Sequence, residues 1–272
     1  MTSNPLQNIA GTILLAGAGK MGGAMLTGWL AGGLKPDRVV VIEPQPSAEI
    51  AGLAAKGVRL NAEEIGAVET LVMAVKPQSF REAGATLKAR IAPSTLVVSI
   101  MAGTTIKSLQ EVCGGTVVRA MPNTPAAIGR GITVAVAAEN VSAAQRATAD
   151  ALLRATGTVE WVEDEGLMDA VTAVSGSGPA YVFLLAEELA RAGIAAGLPE
   201  ELATKLARET VAGSGELLRR SELASATLRQ NVTSPGGTTA AALEVLMGND
   251  GLQRLMIRAI AAATARSKEL AK

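Results

Sequence analysis

This chain of 272 residues has no histidine. That absence removes Ser-His and Cys-His nucleophile pairs, His-ligated zinc and the commonest acid–base group at neutral pH. A single cysteine, Cys113, excludes an intramolecular disulfide framework and any Cys-rich metal site, and fits a reducing cytoplasm. Aromatics are 2% of the chain (Trp29, Trp161, Tyr181, Phe80 and Phe183), too few for the stacking platforms that bind single-stranded nucleic acid. There is no excess of either charge: Lys+Arg and Asp+Glu are both 25. That balance argues against nucleic acid or an anionic membrane surface as the main partner. The apolar runs are broken by Gly, Thr or charge before the ~18 residues of a membrane span. Residues 1–10 lack the basic and apolar regions of a signal peptide. What remains for catalysis is Lys, Asp/Glu, Ser/Thr, Tyr181, backbone dipoles or a cofactor.

Hydrophobic residues are 49% of the chain, ample for a core, and the length suits one or two domains. The first half alternates strand and helix patterns. Strands are expected at residues 12–16, 39–42, 58–60, 70–75, 96–100, 116–121, 132–137 and 159–162. Helices are expected at 47–55, 78–89, 105–112 and 142–154. Repeated βα alternation predicts a mostly parallel, doubly wound sheet, with ligands at the carboxyl ends of the strands. The first strand runs straight into Gly17-Ala18-Gly19-Lys20-Met21-Gly22, and a helical pattern follows. Strand, G-x-G-x-x-G and helix together mark a dinucleotide site: Gly17 for the tight turn, Gly19 for close approach of the pyrophosphate, Gly22 for helix–strand packing. Glu43 ends the second strand, 24 residues after Gly19, where an acid reads the ribose. Lys76-Pro77, Ala102-Gly103 and Asn123-Thr124-Pro125 stand at strand ends and are candidates for the site wall. Lys76 is placed beside the nicotinamide, although a strand-end surface lysine stopped by Pro77 would look the same.

From about Glu165 the strand pattern stops and helices follow. One is expected at 167–174, interrupted by Ser175-Gly176-Ser177-Gly178. A long one runs from Pro179 to about Ala196, the next from Pro199 to about Arg220, and one capped by Ser221 reaches about Asn231. Two more are expected at 238–247 and 252–270. These helices are rich in Ala, which suits close packing between subunits or within an intrachain bundle. Between two of them lies Thr233-Ser234-Pro235-Gly236-Gly237-Thr238-Thr239. Hydroxyls, glycines and a helix N-terminus together can cradle a small anion. A Pro/Gly helix connection with a threonine N-cap uses the same residues.

Five motifs then occur in one order: Gly17-Ala18-Gly19-Lys20-Met21-Gly22, Ala74-Val75-Lys76-Pro77, Met121-Pro122-Asn123-Thr124-Pro125, Ser175-Gly176-Ser177-Gly178-Pro179-Ala180-Tyr181 and Val232-Thr233-Ser234-Pro235-Gly236-Gly237-Thr238-Thr239. In these the chain resembles the pyrroline-5-carboxylate reductase family over essentially its whole length. The resemblance implies an α/β fold: a Rossmann-type doubly wound domain over residues 1–164, then an all-α dimerisation and substrate domain over residues 165–272. It implies hydride transfer from NADPH or NADH to the C=N bond of 1-pyrroline-5-carboxylate, giving L-proline, in a cytoplasmic enzyme that uses no metal. It implies a homodimer through the C-terminal helices, with residues of both subunits at the site and pentamers of dimers in many members. Carried over by motif, Ser234, Gly236, Gly237 and Thr239 hold the substrate, joined by Glu222. Ser234 and Thr239 are the catalytic candidates, with Thr239 near the ring nitrogen. Gly17, Gly19, Lys20, Met21, Gly22, Glu43, Ala74, Lys76, Pro77, Ala102 and Asn123 serve the cofactor.

One departure stands out. NADPH-preferring members often place small polar or basic residues after the second strand; here Glu43-Pro44 stands there, which suits NADH, although a Glu43 turned away from the ribose would leave NADPH binding intact. A β-hydroxyacid-type dehydrogenase would share the layout, but Lys205 is the only lysine between Glu165 and Glu222 and has no Gly-rich catalytic-helix motif around it. A non-catalytic dinucleotide sensor could keep the glycines and lose the Ser234–Thr239 loop; the loop is intact. The missing histidine is consistent with imine reduction, because a cyclic iminium accepts hydride without a strong protein acid.

Overall fold

The computed structural model describes residues 5–270; residues 1–4 of the segment read for a leader lie outside them. The chain divides into two compact units. One runs to Gly176 and takes in the end of the chain from Thr264; the other is Ser177–Ala263.

The first unit is built on an eight-stranded sheet: β1 (Ile13–Ala16), β2 (Val39–Ile42), β3 (Arg59–Leu60), β4 (Thr70–Met73), β5 (Leu96–Ser99), β6 (Thr116–Met121), β7 (Gly131–Ala137) and β8 (Gly157–Trp161), in the order β3-β2-β1-β4-β5-β6-β7-β8. The strands β1 to β6 are parallel, and the order reverses at β1, between β2 and β4. That reversal is the crevice where doubly wound sheets bind ligands. The β7 strand runs antiparallel to β6, and β8 is parallel to β7. The connection Pro122–Arg130 holds only a 3-10 turn, Thr124–Ile128, too short for a helical crossover, so the chain returns antiparallel.

The strands alternate their apolar side chains between two buried layers, as a sheet covered on both faces must. On one face Ile13, Leu15, Val41, Val72 and Val98 pack against Met25, Leu26 and Trp29 of α1 (Lys20–Ala31) and Leu152 of α5 (Ala143–Arg154). Trp29 Nε1 donates to the Leu152 carbonyl at 2.8 Å, so the indole is buried without losing its hydrogen bond. On the other face Leu14, Val40, Leu71 and Val97 meet Phe80 and Leu87 of α3 (Phe80–Leu87) and Leu109 of α4 (Ile106–Val112). A short α2 (Ala48–Gly52) follows β2, capped by Ser47 Oγ, which accepts the Ile50 N–H. After β8 comes α6 (Met168–Val171), which widens into a π turn over Thr172–Gly176 rather than breaking at Ser175. The hydroxyls of Thr172 and Ser175 donate back to the carbonyls of Met168 and Val171, and a Met121 methyl fills the space where a Gly176 Cβ would sit.

The second unit is helical: α7 (Gly178–Ala195), α8 (Glu200–Arg220), α9 (Ser225–Asn231), α10 (Thr238–Leu246) and α11 (Leu252–Leu270), whose last turns belong to the first unit. The α7–α8 hairpin closes at Gly197, φ 99°, with the Leu198 N–H on the Gly193 carbonyl. Ser221 does not cap α9 as expected. It ends α8 in extended backbone, its Oγ accepts the Leu223 N–H, and α9 begins only at Ser225. In the whole of Ser177–Ala263 only Ala203 and Ala207 are buried. Large apolar side chains such as Phe183 (67% exposed) and Val245 (76%) face outward.

Candidate active site

The glycine loop shows which of its residues the protein itself requires. Gly17 has φ 91°, and a Cβ there would lie 2.6 Å from the Ala74 carbonyl oxygen. A Cβ on Gly22 would overlap the Gly17 carbonyl oxygen. Protein atoms therefore explain both. Gly19 is different: φ is −65°, and nothing lies within 4 Å of where its Cβ would be. Neither backbone nor packing demands a glycine there, and the open space over Gly19 leaves room for a ligand to approach the backbone. Gly19 is the N-cap of α1, which has no side-chain cap and no acid in its first turn. The first-turn N–H groups and the helix dipole thus present partial positive charge to that space, as an anion site requires.

A cleft of about 700 Å³ opens at this point, wholly within the first unit. Gly19, Lys20, Glu43 and Lys76 line it, as do Ala18, Gln45 and Ser47 on one side and Ala126 and Ala127 on another. The Glu43 carboxylate faces the loop: Oε2 accepts the Ala18 N–H at 2.8 Å, and Oε1 accepts the Gln45 N–H at 3.1 Å. Lys76 is exposed and precedes the 3-10 turn Pro77–Ser79. Gly17, Gly22 and Ala74 pack on one another instead of lining the cleft, and Met21 packs half-buried on the core. Pro77, Ala102 and Asn123 stand beyond the ends of β4, β5 and β6. Asn123 is tied into the protein, its Oδ1 accepting the Ile132 N–H at 2.9 Å. Residues of this unit that sequence reasoning passed over are Ala126, Ala127, Gln45 and Asn61. Asn61 carried one signal: an asparagine directly after a short strand, where a left-handed residue is common.

The second unit holds the hydroxyl-rich loop. Ser234-Pro235-Gly236-Gly237 forms a turn closed by the Gly237 N–H on the Ser234 carbonyl at 3.1 Å, with Gly236 at φ 68°. Proline second and a left-handed glycine third are what a type II turn needs. The Ser234 Oγ lies over the Gly237 α-carbon, where any Cβ would collide with it. Gly237 is the N-cap of α10, again without a side-chain cap, and Thr238 and Thr239 open the helix. Thr233 Oγ1 is spent on the Arg229 carbonyl at 2.7 Å. Among the described residues the hydroxyls of Ser234 and Thr239 make no hydrogen bond. The loop thus offers two free hydroxyls beside an uncapped helix N-terminus. Glu222 sits exposed in the connection between α8 and α9, with no hydrogen bond or ion pair to the loop among the described residues.

No helix among the described residues is long and apolar enough to cross a membrane. A family model described as pyrroline-5-carboxylate reductase dimerisation matches residues 165–270, and one described as NADP oxidoreductase, coenzyme F420-dependent, matches residues 12–103. The pyrroline-5-carboxylate reductase of Pseudomonas aeruginosa is 41% identical over 265 residues, 96% of this chain and 97% of that protein. That of Synechocystis is 43% identical over 241 residues, 87% of this chain and 89% of that protein. Among solved structures, a pyrroline-5-carboxylate reductase from Coxiella burnetii superposes with a TM-score of 0.89 at 34% identity, covering 97% of this chain and all of that one. A Plasmodium falciparum pyrroline carboxylate reductase with NADP bound gives 0.81 at 30% identity, covering 98% and 99% of the two chains. By both sequence and fold, the chain belongs to the pyrroline-5-carboxylate reductase family.

Proposed function

We propose that this protein reduces 1-pyrroline-5-carboxylate to L-proline with NAD(P)H, the last step of proline synthesis. The observation that carries the reading is the near-full-length match to this family in a chain whose first unit holds an open glycine cradle and whose second, taken by itself, holds an uncapped, hydroxyl-bearing helix N-terminus. Residues 1–164 hold the dinucleotide, and residues 165–272 hold the substrate and a second subunit.

The residues present fit a dinucleotide. The α1 N–H groups and Lys20 receive its pyrophosphate over Gly19, Glu43 takes the ribose, and Lys76-Pro77, Ala102 and Asn123 border the nicotinamide end. Bound NAD(P)H supplies a hydride. The chain's own work is to bind and orient. The Ser234 hydroxyl and the N–H groups of Thr238 and Thr239 grip the substrate carboxylate. The Thr239 hydroxyl hydrogen-bonds the ring nitrogen as it gains its lone pair. No histidine is needed, since the iminium forms by protonation from water and the task left is positioning and electrostatics. Glu222 belongs to the same proposal, as a border of the substrate site.

A homodimer through the C-terminal helices is part of the reading, and a pentamer of dimers its larger form. It is supported by a helical unit that buries two alanines and leaves its large apolar side chains outside. A cytoplasmic setting accords with the lone, buried, unpaired Cys113. The test is direct: purified protein with 1-pyrroline-5-carboxylate should consume NADH or NADPH and yield proline in equal amount. Reduced dinucleotide left unchanged, or oxidised without proline, refutes the assignment.

A further inference from the structure

The acid at the end of β2 is held from several directions at once. Both oxygens of Glu43 accept backbone N–H groups, one from Ala18 and one from Gln45. Its own backbone is clamped by a single side chain. Asn61 Oδ1 accepts the Glu43 N–H at 2.9 Å, and Asn61 Nδ2 donates to the Glu43 carbonyl at 2.9 Å. Asn61 does this from φ 50°, the one positive φ outside glycine among the described residues. Asparagine tolerates that conformation better than most residues. Its own N–H is bound to the Val41 carbonyl at 2.8 Å, which seats it beside β2. The carboxylate is therefore fixed toward the glycine loop and on the wall of the cleft.

A fixed carboxylate discriminates between two dinucleotides. Each of its oxygens has a second lone pair, so it can still accept the two hydroxyl donors of an adenosine ribose. A 2′-phosphate offers no such donor and brings like charge. The following segment brings no positive charge to compensate: Gln45 and Ser47, which it sets on the cleft wall, are neutral. Pro44 and Pro46 have no N–H, and the N–H groups of Glu43 and Gln45 are already donating. No Lys or Arg occurs from Glu43 to Ala55. The nearest cation by strand register is Arg59, opposite Val40, and it does not line the cleft. Lys20 and Lys76 line it at the opening of α1 and beyond β4, the pyrophosphate and nicotinamide side.

We infer that this chain selects NADH over NADPH, with Glu43 as the selecting group and Asn61 as the residue that positions it. The inference rests on the dinucleotide reading above. The experiment measures dissociation constants for NADH and NADPH from nicotinamide fluorescence, without substrate, for the wild type, Glu43→Gln and Asn61→Gly. The wild type should bind NADH tighter by about tenfold to 100-fold at low ionic strength, the range expected for one like charge at close approach. Glu43→Gln keeps the volume and removes the charge, so the ratio should fall toward one, chiefly through better NADPH binding. Asn61→Gly keeps the left-handed backbone and removes the clamp, so the ratio should fall although Glu43 is present. In the double variant Asn61→Gly should add nothing, because it acts through Glu43. Equal weakening of both dinucleotides by Asn61→Gly would make its role merely structural and overturn its part. A wild type that binds NADPH as tightly as NADH, or a ratio untouched by Glu43→Gln, overturns the whole. Selective NADH binding without reduction of 1-pyrroline-5-carboxylate would keep this inference and retire the reaction. Proline formation with no preference would do the reverse.

Discussion

Alanine at Gly19 and alanine at Gly22 should fail in opposite ways. At Gly22 the new methyl meets the Gly17 carbonyl oxygen, a backbone atom that cannot swing aside. Overpacking against such a group costs about 1–3 kcal/mol. The gain in helix propensity over glycine, about 1 kcal/mol, offsets part of it. Overlap with a backbone atom belongs at the upper end of that range, so a net loss of about 2 kcal/mol remains and lowers Tm by roughly 4–8 °C in this chain of 272 residues. At Gly19 the methyl enters open space with φ −65°, so the backbone is not strained. The N-cap preference for glycine over alanine and the smaller freedom of the unfolded chain oppose each other at about 0.5–1 kcal/mol each. Tm should therefore stay within about 2 °C of the wild type. In the proposed site that methyl stands where the pyrophosphate would approach the α1 N–H groups. Binding of NADH should weaken at least tenfold, or about 1.4 kcal/mol. Differential scanning calorimetry and fluorescence titration on the two variants read both quantities. Unchanged NADH affinity in a stable Gly19→Ala protein would refute the cradle. A Gly22→Ala protein as stable as the wild type would refute the packing account of the loop.

Three other outcomes follow from the same geometry. Thr239→Ala should lower kcat about tenfold or more, the scale of losing one hydrogen bond made only as the nitrogen lone pair forms, with the NADH dissociation constant unchanged; Ser234→Ala should mainly raise KM for 1-pyrroline-5-carboxylate. Normal turnover at saturation, or an unaltered KM, would remove those roles. Burial raises the Cys113 thiol from an ordinary 9.0 to about 11, with Lys88 pulling weakly the other way. Folding therefore favours the neutral thiol: this contribution is intact below about pH 9 and is lost as pH rises to 11, by at most about 2–3 kcal/mol. Urea midpoints between pH 8 and 11 should fall over that window and stay flat there in Cys113→Ala. Phe183→Glu, on an exposed apolar helix face, should shift sedimentation toward smaller species and make Tm depend on concentration; an unchanged assembly would take Phe183 out of the interface.

Most of the first unit was legible because its strands are apolar runs bounded by turn residues. The β2 and β6 strands fall on the expected residues, and the others shift by one or two at their ends. The glycine loop was legible as a motif, down to the part each glycine plays: the space around Gly17 and Gly22 is filled by protein atoms and that over Gly19 is open, as the spacing predicts. The direction of β7 was hidden because alternation fixes a strand and not its sense; the length of its connection decides that. The orientation of Glu43 was hidden for a different reason. It depends on Asn61, 18 residues later, through two hydrogen bonds that no local periodicity records. The start of α9 was misread because serine serves a helix start and a helix end equally well, and at Ser221 the hydroxyl bonds two residues ahead. For the second unit, Ala-rich composition left intrachain and intersubunit packing equally open. Burial decides what composition could not: a unit that hides only Ala203 and Ala207 has too little core to stand alone, so its exposed apolar helices need a covering surface, as the dimerisation model that matches residues 165–270 expects.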